Sequence, residues 1–411
     1  MALRITGLGE EIAAVTGLPW NIPLEEWPED PMLAEKRGIS RHIVRLVRAS
    51  NDPDAEVYAV KETVAEFANR EYKILRELSQ HGAPCVEQVA VVEGRTDSNG
   101  EELPCAIVTR FLPYSLPYRV LLSGAVTPHE IETMASALAM LLVRLHLLGF
   151  WWGDCSLSNT LFRRDAEGFA AYLVDAETGE FQKSLSDGQR EHDLEIVHFN
   201  VAAELEDLAL SGVLYPGMDP VRASEAVIRR YRRIWAALKE RQLLDPNDRK
   251  AVERAMRQLH DLGFAVEEVS VQLEEGNETT GKLYFQPKLV AAGYHTQRLR
   301  ELTGLDAEEL QAKRLLASFD RYNARENKLG LSIQEMAKKW IAEVFEPVIN
   351  RVPDHMRGRV ERAQMFHEIL ENRWYLSEKA GYDVGLDVAT DNYCAEILPL
   401  RRDSGVDIVV Q

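Results

Sequence analysis

Between Arg37 and Phe111 the apolar residues come in short β-rich runs and not at helical spacing. His42–Val47 and Val57–Lys61 are two such runs, separated by the turn-prone Ser50-Asn51-Asp52-Pro53-Asp54. A helix follows them. Thr63 and Glu66 stand as a T-x-x-E capping box, and Phe67, Ile74, Leu75 and Leu78 make an apolar stripe ending before Gly82. Two more strands, near Glu87–Val92 and Ala106–Phe111, flank a polar hairpin at Asn99-Gly100. From Pro128 the period becomes helical, with Ile131, Met134, Leu138, Leu141, Leu142 and Leu145 on one side. The loop Gly153–Asn159 then leads into a hairpin, Thr160–Phe162 and Phe169–Val174, turning at Asp165–Gly168. Residues 189–210 are helical again.

Outside this stretch the pattern changes character. Residues 1–35 carry four prolines with Trp20 and Trp27, which predicts an extended segment wrapped on a domain surface, with a short helix near Glu10–Val15. Pro113–Pro117 reads as a connector, and Pro216 and Pro220 mark a boundary. Beyond them Ala223–Glu240 and Pro246–Leu262 read as helices, Val266–Glu274 and Lys282–Val290 as a hairpin turning at Gly276-Asn277, and helices dominate from Asp306 to Leu398. The expected division is an extended segment (1–35), a β-rich lobe (36–112), a helical lobe (113–215) and a mainly helical domain (216–411). The fold class is therefore α+β.

At 411 residues the chain exceeds one comfortable core. No run is long and apolar enough to span a bilayer, and the N-terminus has neither a basic nor an apolar leader region. Four cysteines lie far apart with no C-x-x-C pair, as expected of reduced thiols in a cytoplasm. A formal charge of -18 argues against general nucleic-acid binding, which needs basic surface against phosphate.

Candidate chemistry centres on Asp154 and Asn159, an Asp-x4-Asn pair that follows the apolar helix ending in Leu145-His146. A second acid, Asp175, ends the strand run Ala171-Tyr172-Leu173-Val174. Phosphoryl transfer needs such a set: one carboxylate to orient the attacking hydroxyl, and two hard oxygen ligands for Mg²⁺. Asp154 is the candidate base; Asn159 and Asp175 are the candidate metal ligands. Lys61 ends an apolar strand, and Glu71 lies within the apolar stripe of the next helix. A carboxylate there is costly unless a cation meets it, and Lys61 is the expected partner. Gly38, Ser40 and Arg41 occupy the place of a nucleotide-covering loop, where backbone N–H groups and side chains can reach phosphate.

Other residues carry two readings each. Glu177 is a further metal contact or a surface acid. Asp193 bonds the backbone of the Asp154 loop or caps its own helix. Trp151 and Trp152 stack on a ligand or, more simply, pack the core. Cys155 has no His placed to activate it, and His367-Glu368 lacks the second His of a zinc motif.

Lys61, Glu71, His146, Asp154, Asn159 and Asp175 together resemble the protein-kinase-like superfamily, in the branch of the lipopolysaccharide kinases (Kdo kinase-like) and aminoglycoside phosphotransferases. The resemblance covers roughly residues 35–215. It implies a bilobal fold, ATP and Mg²⁺, transfer of the γ-phosphoryl group to a hydroxyl of an unidentified acceptor, and a structural role for His146 under the catalytic loop. Three departures stand out. Trp152-Gly153 replaces the usual His-Gly or His-Arg, the nucleotide loop has a single glycine, and no Ala-Pro-Glu segment follows Asp175. The last favours a small-molecule or atypical kinase. A pseudokinase scaffold and an AMP transferase are the alternatives. The second half is similar, across His367–Val384, to an uncharacterised bacterial domain found behind kinase-like domains. It is expected to supply the acceptor pocket, or a homodimer or protein-partner surface, with Trp340, Phe345, Phe366 and Trp374 fitting either role.

Overall fold

The computed structural model describes residues 2–7, 11–28, 43–48, 55–122, 127–214, 217–239, 242–244, 264–273, 283–328 and 330–401. The chain divides into two units. One comprises Met1–Arg163 and Ala171–Tyr231; the other comprises Arg164–Ala170 and the chain from Arg232 through the remaining helices.

The first unit begins with an antiparallel sheet built from β1 (Arg4–Gly7), β2 (Val44–Arg48), β3 (Val57–Thr63), β4 (Gln88–Glu93) and β5 (Cys105–Arg110), in the order β1-β4-β5-β3-β2. Pleating sends alternate side chains to opposite faces. Tyr58 and Val60 of β3 enter a core with Val89, Val92, Val108, Trp20, Leu24 and Trp27. On the same face Glu62 meets the fully buried Arg95 at 2.7 Å and accepts from the Leu24 N–H at 3.0 Å. Arg95 also donates to the carbonyls of Trp20, Ile22 and Pro104. The N-terminal tryptophans are thus part of the core, and β1 adds an edge strand that the sequence pattern did not signal. A short helix, α1 (Glu11–Thr16), lies between them.

Lys61 falls on the opposite face of β3, paired in register with Val44 and Ile107. Helix α2 (Ala65–Gln80) follows and buries Ala68, Glu71, Tyr72, Ile74, Leu75 and Leu78. The Thr63–Glu66 capping box does not form: the N-cap is Val64, with no side-chain cap. Thr63 is still in the ladder, paired with Cys105, so sheet pairing holds it in the strand. Starting there, the helix turns Phe67 outward (43% exposed), off the stripe to which the sequence assigned it.

The rest of this unit holds β6 (Ser115–Pro117), the single turn α3 (Tyr118–Leu121), and α4 (Pro128–Leu147), whose capping box is Thr127 with Glu130. Then come β7 (Phe150–Trp151), β8 (Thr160–Asp165), β9 (Gly168–Leu173), β10 (Glu180–Phe181), α5 (Asp187–Leu210) and α6 (Pro220–Lys239), of which Arg164–Asp165, Gly168–Ala170 and Arg232–Lys239 are counted with the second unit. β6, β8 and β9 form one sheet; β7 pairs with β10. The fold is the bilobal, protein-kinase-like one, a β-rich lobe with one long helix followed by a helical lobe.

The second unit has a three-stranded sheet in the order β11 (Gln242–Leu244), β13 (Leu283–Ala292), β12 (Phe264–Leu273). β12 and β13 are the expected hairpin strands, and β11 is a third strand absent from the sequence reading. The expected helix Pro246–Leu262 and the turn at Gly276-Asn277 lie outside the described residues. Helices α7 (Tyr294–Thr303), α8 (Glu309–Glu326), α9 (Ile333–Trp340), α10 (Glu346–Arg351), α11 (Arg362–Ala380) and α12 (Gly385–Asn392) complete it. Trp340, Phe345 and Phe366 are fully buried and mutually in ring contact, so they form its core. Trp374 is 63% exposed. Among the described residues no helix is long and apolar enough to cross a membrane.

Candidate functional site

Lys61, Glu71 and Asp175 meet. The Lys61 Nζ lies 2.7 Å from Glu71 Oε2, 3.0 Å from Asp175 Oδ2 and 3.6 Å from Glu177 Oε2. Strand alternation brings the lysine to this face, and the inward stripe of α2 brings Glu71, which is almost wholly buried. Burial alone would disfavour the ammonium, but Glu71 and Asp175 outweigh it and hold Lys61 firmly charged. Burial pushes Glu71 up to about 8, with Lys61 opposing that rise. Among the described residues three carboxyl groups surround this one ammonium, so acidic groups outnumber the cation here.

Asp175 is held at the end of β9, where Leu173 exchanges backbone hydrogen bonds with Pro84 and Val86. The Val174 N–H donates to the Asn159 carbonyl at 3.1 Å, so the two halves of the hairpin set Asn159 beside the Asp175 segment. The Asn159 amide nitrogen donates to the Asp154 carbonyl at 3.0 Å and to Asp154 Oδ2 at 3.1 Å. Asp154 Oδ1 accepts from Asn200 Nδ2 at 3.2 Å, and the same amide donates to the Cys155 carbonyl at 3.1 Å. Both oxygens of Asp154 are therefore fixed by amides.

The loop itself is clamped by one side of α5. Asp193, fully buried, accepts from the N–H groups of Trp152 (3.0 Å) and Gly153 (2.9 Å) and bonds His146 Nε2 at 3.0 Å. Of its two readings, the loop contact is the one present; Asp193 lies well inside α5, whose cap is Ser186. His146 Nδ1 lies 2.8 Å from the Tyr231 hydroxyl. An ionised Asp193 requires the proton on Nε2, which leaves Nδ1 to accept from Tyr231. Further along α5, Glu204 accepts from the N–H groups of Leu157 (2.8 Å) and Ser158 (2.9 Å) and from the Ser158 hydroxyl. Asp193, Asn200 and Glu204 fall near one side of the helix at i, i+7 and i+11. Asn200 and Glu204 were not singled out from sequence; polar residues bordering an apolar stripe at that spacing were the available signal.

Trp152 is buried and its indole N–H donates to the Asp175 carbonyl at 3.2 Å, so the residue standing in the usual histidine place ties the loop to the Asp175 segment. Gly153 has φ 77°, a conformation that favours glycine. Burial, Asp193 and Asp154 raise the Cys155 thiol well above its ordinary range, which removes it as a nucleophile. Gly38, Ser40 and Arg41 lie outside the described residues.

Residues 57–212 match the model of the lipopolysaccharide kinase (Kdo/WaaP) family, and residues 233–398 match that of a domain of unknown function (DUF4032). A solved structure titled "WaaP in complex with acyl carrier protein" aligns with 64% of this chain and 99% of its own, at 18% identity and a TM-score of 0.35. No curated protein matches. The first segment is thus lipopolysaccharide-kinase-like with a protein-kinase-like fold, and it is followed by a segment similar to a domain of unknown function.

Proposed function

We propose that this chain is an ATP- and Mg²⁺-dependent phosphotransferase that moves the γ-phosphoryl group of ATP to a hydroxyl of a small molecule or sugar. One observation carries the reading: Lys61 bridges Glu71 and Asp175 at 2.7 and 3.0 Å, while Asn159 is paired beside Asp175 and bonds Asp154. In this reading Glu71 holds the lysine so that its ammonium lies against the α- and β-phosphates. Asp154, its carboxylate fixed by two amides, orients the acceptor hydroxyl and takes its proton as the oxygen–phosphorus bond forms and ADP leaves. Gly38, Ser40 and Arg41 are proposed to cover the nucleotide.

Asn159 and Asp175 would hold Mg²⁺. The donor set fits a hard cation: the Asn159 amide nitrogen is committed to Asp154, which leaves its oxygen as the ligand, and the Asp175 carboxylate beside it is a hard oxygen donor. When bound, Mg²⁺ supplies charge neutralisation on the phosphate oxygens.

The test is ATP turnover by Asp154→Ala and Asp175→Ala with cell extract as acceptor source. Loss in both is expected, with ADP as the released product; unchanged turnover in both sinks the assignment. Label from the α-phosphate on the acceptor would instead identify AMP transfer, and no nucleotide binding at all would identify a scaffold.

A further inference from the structure

We propose that Glu167, His367 and Glu371, all in the second unit, form a binding site for a transition-metal dication, with Zn²⁺ the ion bound most tightly. Glu167 lies in the turn between β8 and β9, within the segment Arg164–Ala170 that belongs to this unit. His367 and Glu371 are four apart on α11 and so share a face. One donor atom from each lies within 4.8 Å of the other two, and His367 Nε2 is 3.8 Å from Glu167 Oε1. Ligands at about 2.0–2.2 Å from a common ion lie roughly 3–4 Å apart, so the set needs at most a small inward closure.

The imidazole makes this more than an acidic cluster. His367 is 1% exposed, and among the described residues neither ring nitrogen has a hydrogen-bond partner. Buried polar atoms are rarely left so, and an imidazole beside two carboxylates is a donor set suited to a transition-metal dication. The neighbouring polar groups are already committed. Glu368 accepts from Gln364 (2.9 Å), the Tyr393 hydroxyl (2.8 Å) and Arg401 (3.0 Å), so it is not a fourth ligand. Gln364 and Gln311 bond each other and the turn carbonyls of Ala166 and Arg164, which fixes the turn against α11 and α8. Arg314 is the cation whose field reaches both His367 and Glu371, and it opposes an incoming ion. Glu167 is half exposed, which gives an ion a way in.

The donor set separates this site from the Lys61 cluster, which offers carboxylates and amide oxygen only. An imidazole with two carboxylates prefers Zn²⁺ or Co²⁺ over Mg²⁺ or Ca²⁺. The experiment uses the full chain stripped by chelator and titrated calorimetrically with ZnCl₂, in wild type, Glu167→Gln, His367→Gln and Asp175→Ala. One Zn²⁺ equivalent is expected that excess Mg²⁺ does not displace, that Asp175→Ala keeps, and that His367→Gln loses. Glu167→Gln, at an exposed turn that tolerates the change, should weaken it by about tenfold or more. Co²⁺ should give a ligand-field spectrum in wild type that His367→Gln lacks. Zinc uptake identical in wild type and Glu167→Gln, or no uptake by correctly folded wild type, would overturn the site and leave a buried water as the partner of the ring.

Discussion

Asp193→Asn probes the support of the candidate catalytic loop most sharply. The wild-type carboxylate, fully buried, accepts from two backbone N–H groups and from His146. Hydrogen bonds to a charged acceptor contribute about 1.5–3 kcal/mol each, and a buried donor left unpaired costs about 1–3 kcal/mol. Asparagine keeps one acceptor oxygen. Placed at the Oδ2 position it still serves Trp152 and His146, but its NH₂ then faces the Gly153 N–H. One bond is lost and two donors oppose each other, for a cost of about 2–4 kcal/mol. Alanine strands both N–H groups and the imidazole, and its cost approaches the whole stability of a domain, roughly 5–15 kcal/mol, so asparagine is the usable change. The assay pairs denaturant unfolding with steady-state ATP turnover. The loop carries Asp154, whereas Lys61 and Glu71 stand elsewhere, so kcat should fall further than KM for ATP rises. A variant within about 0.5 kcal/mol of wild type and with unchanged kcat would refute the clamp.

Further changes test separate parts of the account. Glu71→Gln leaves Lys61, among the described residues, with Asp175 and Glu177, and KM for ATP should rise about tenfold, roughly 1.4 kcal/mol, with protein fold retained by circular dichroism; an unchanged KM would contradict the anchoring role. Gly149→Ala should destabilise strongly, because φ is 77° and the new Cβ would stand 2.2 Å from the Gln182 carbonyl oxygen; a Tm equal to wild type would contradict this geometry. Burial, with Glu308 adding to it and the Leu310 and Gln311 N–H groups opposing, raises Asp165 from 3.8 to about 8. Its folded value lies above its unfolded one, so its stabilisation is full below about 3.8 and is lost as pH rises through about 8. Wild type should therefore lose Tm relative to Asp165→Asn between those limits, and parallel pH profiles would contradict the shift.

What the sequence revealed follows from how local each signal is. Asp154, Asn159 and Asp175 lie on one loop and hairpin, so their spacing reports their proximity directly. Glu71 was legible because an acid inside an apolar stripe demands a cation, and Lys61, ending the preceding apolar strand, was the expected partner. The Thr63–Glu66 pairing failed because pairing with Cys105 keeps Thr63 in the ladder, a tertiary effect that no four-residue motif contains. Asn200 and Glu204 escaped for a related reason: their bonds run to a loop more than forty residues away, as the 46-residue separation of Asn200 from Asp154 illustrates. Glu167 and His367 are farther apart still, so the second half offered His367-Glu368 as a failed zinc motif while the geometry offers Glu167 and Glu371 in its place.

Lys61, Glu71, Asp175 and Asn159 are proposed to hold Mg²⁺ and ATP. Calorimetric titration of MgATP into wild type and Asp175→Ala tests it most directly. Wild type should show saturable 1:1 binding that requires Mg²⁺ and is weakened about tenfold or more by the substitution. Equal affinity in the two proteins, or no binding by folded wild type, would contradict it.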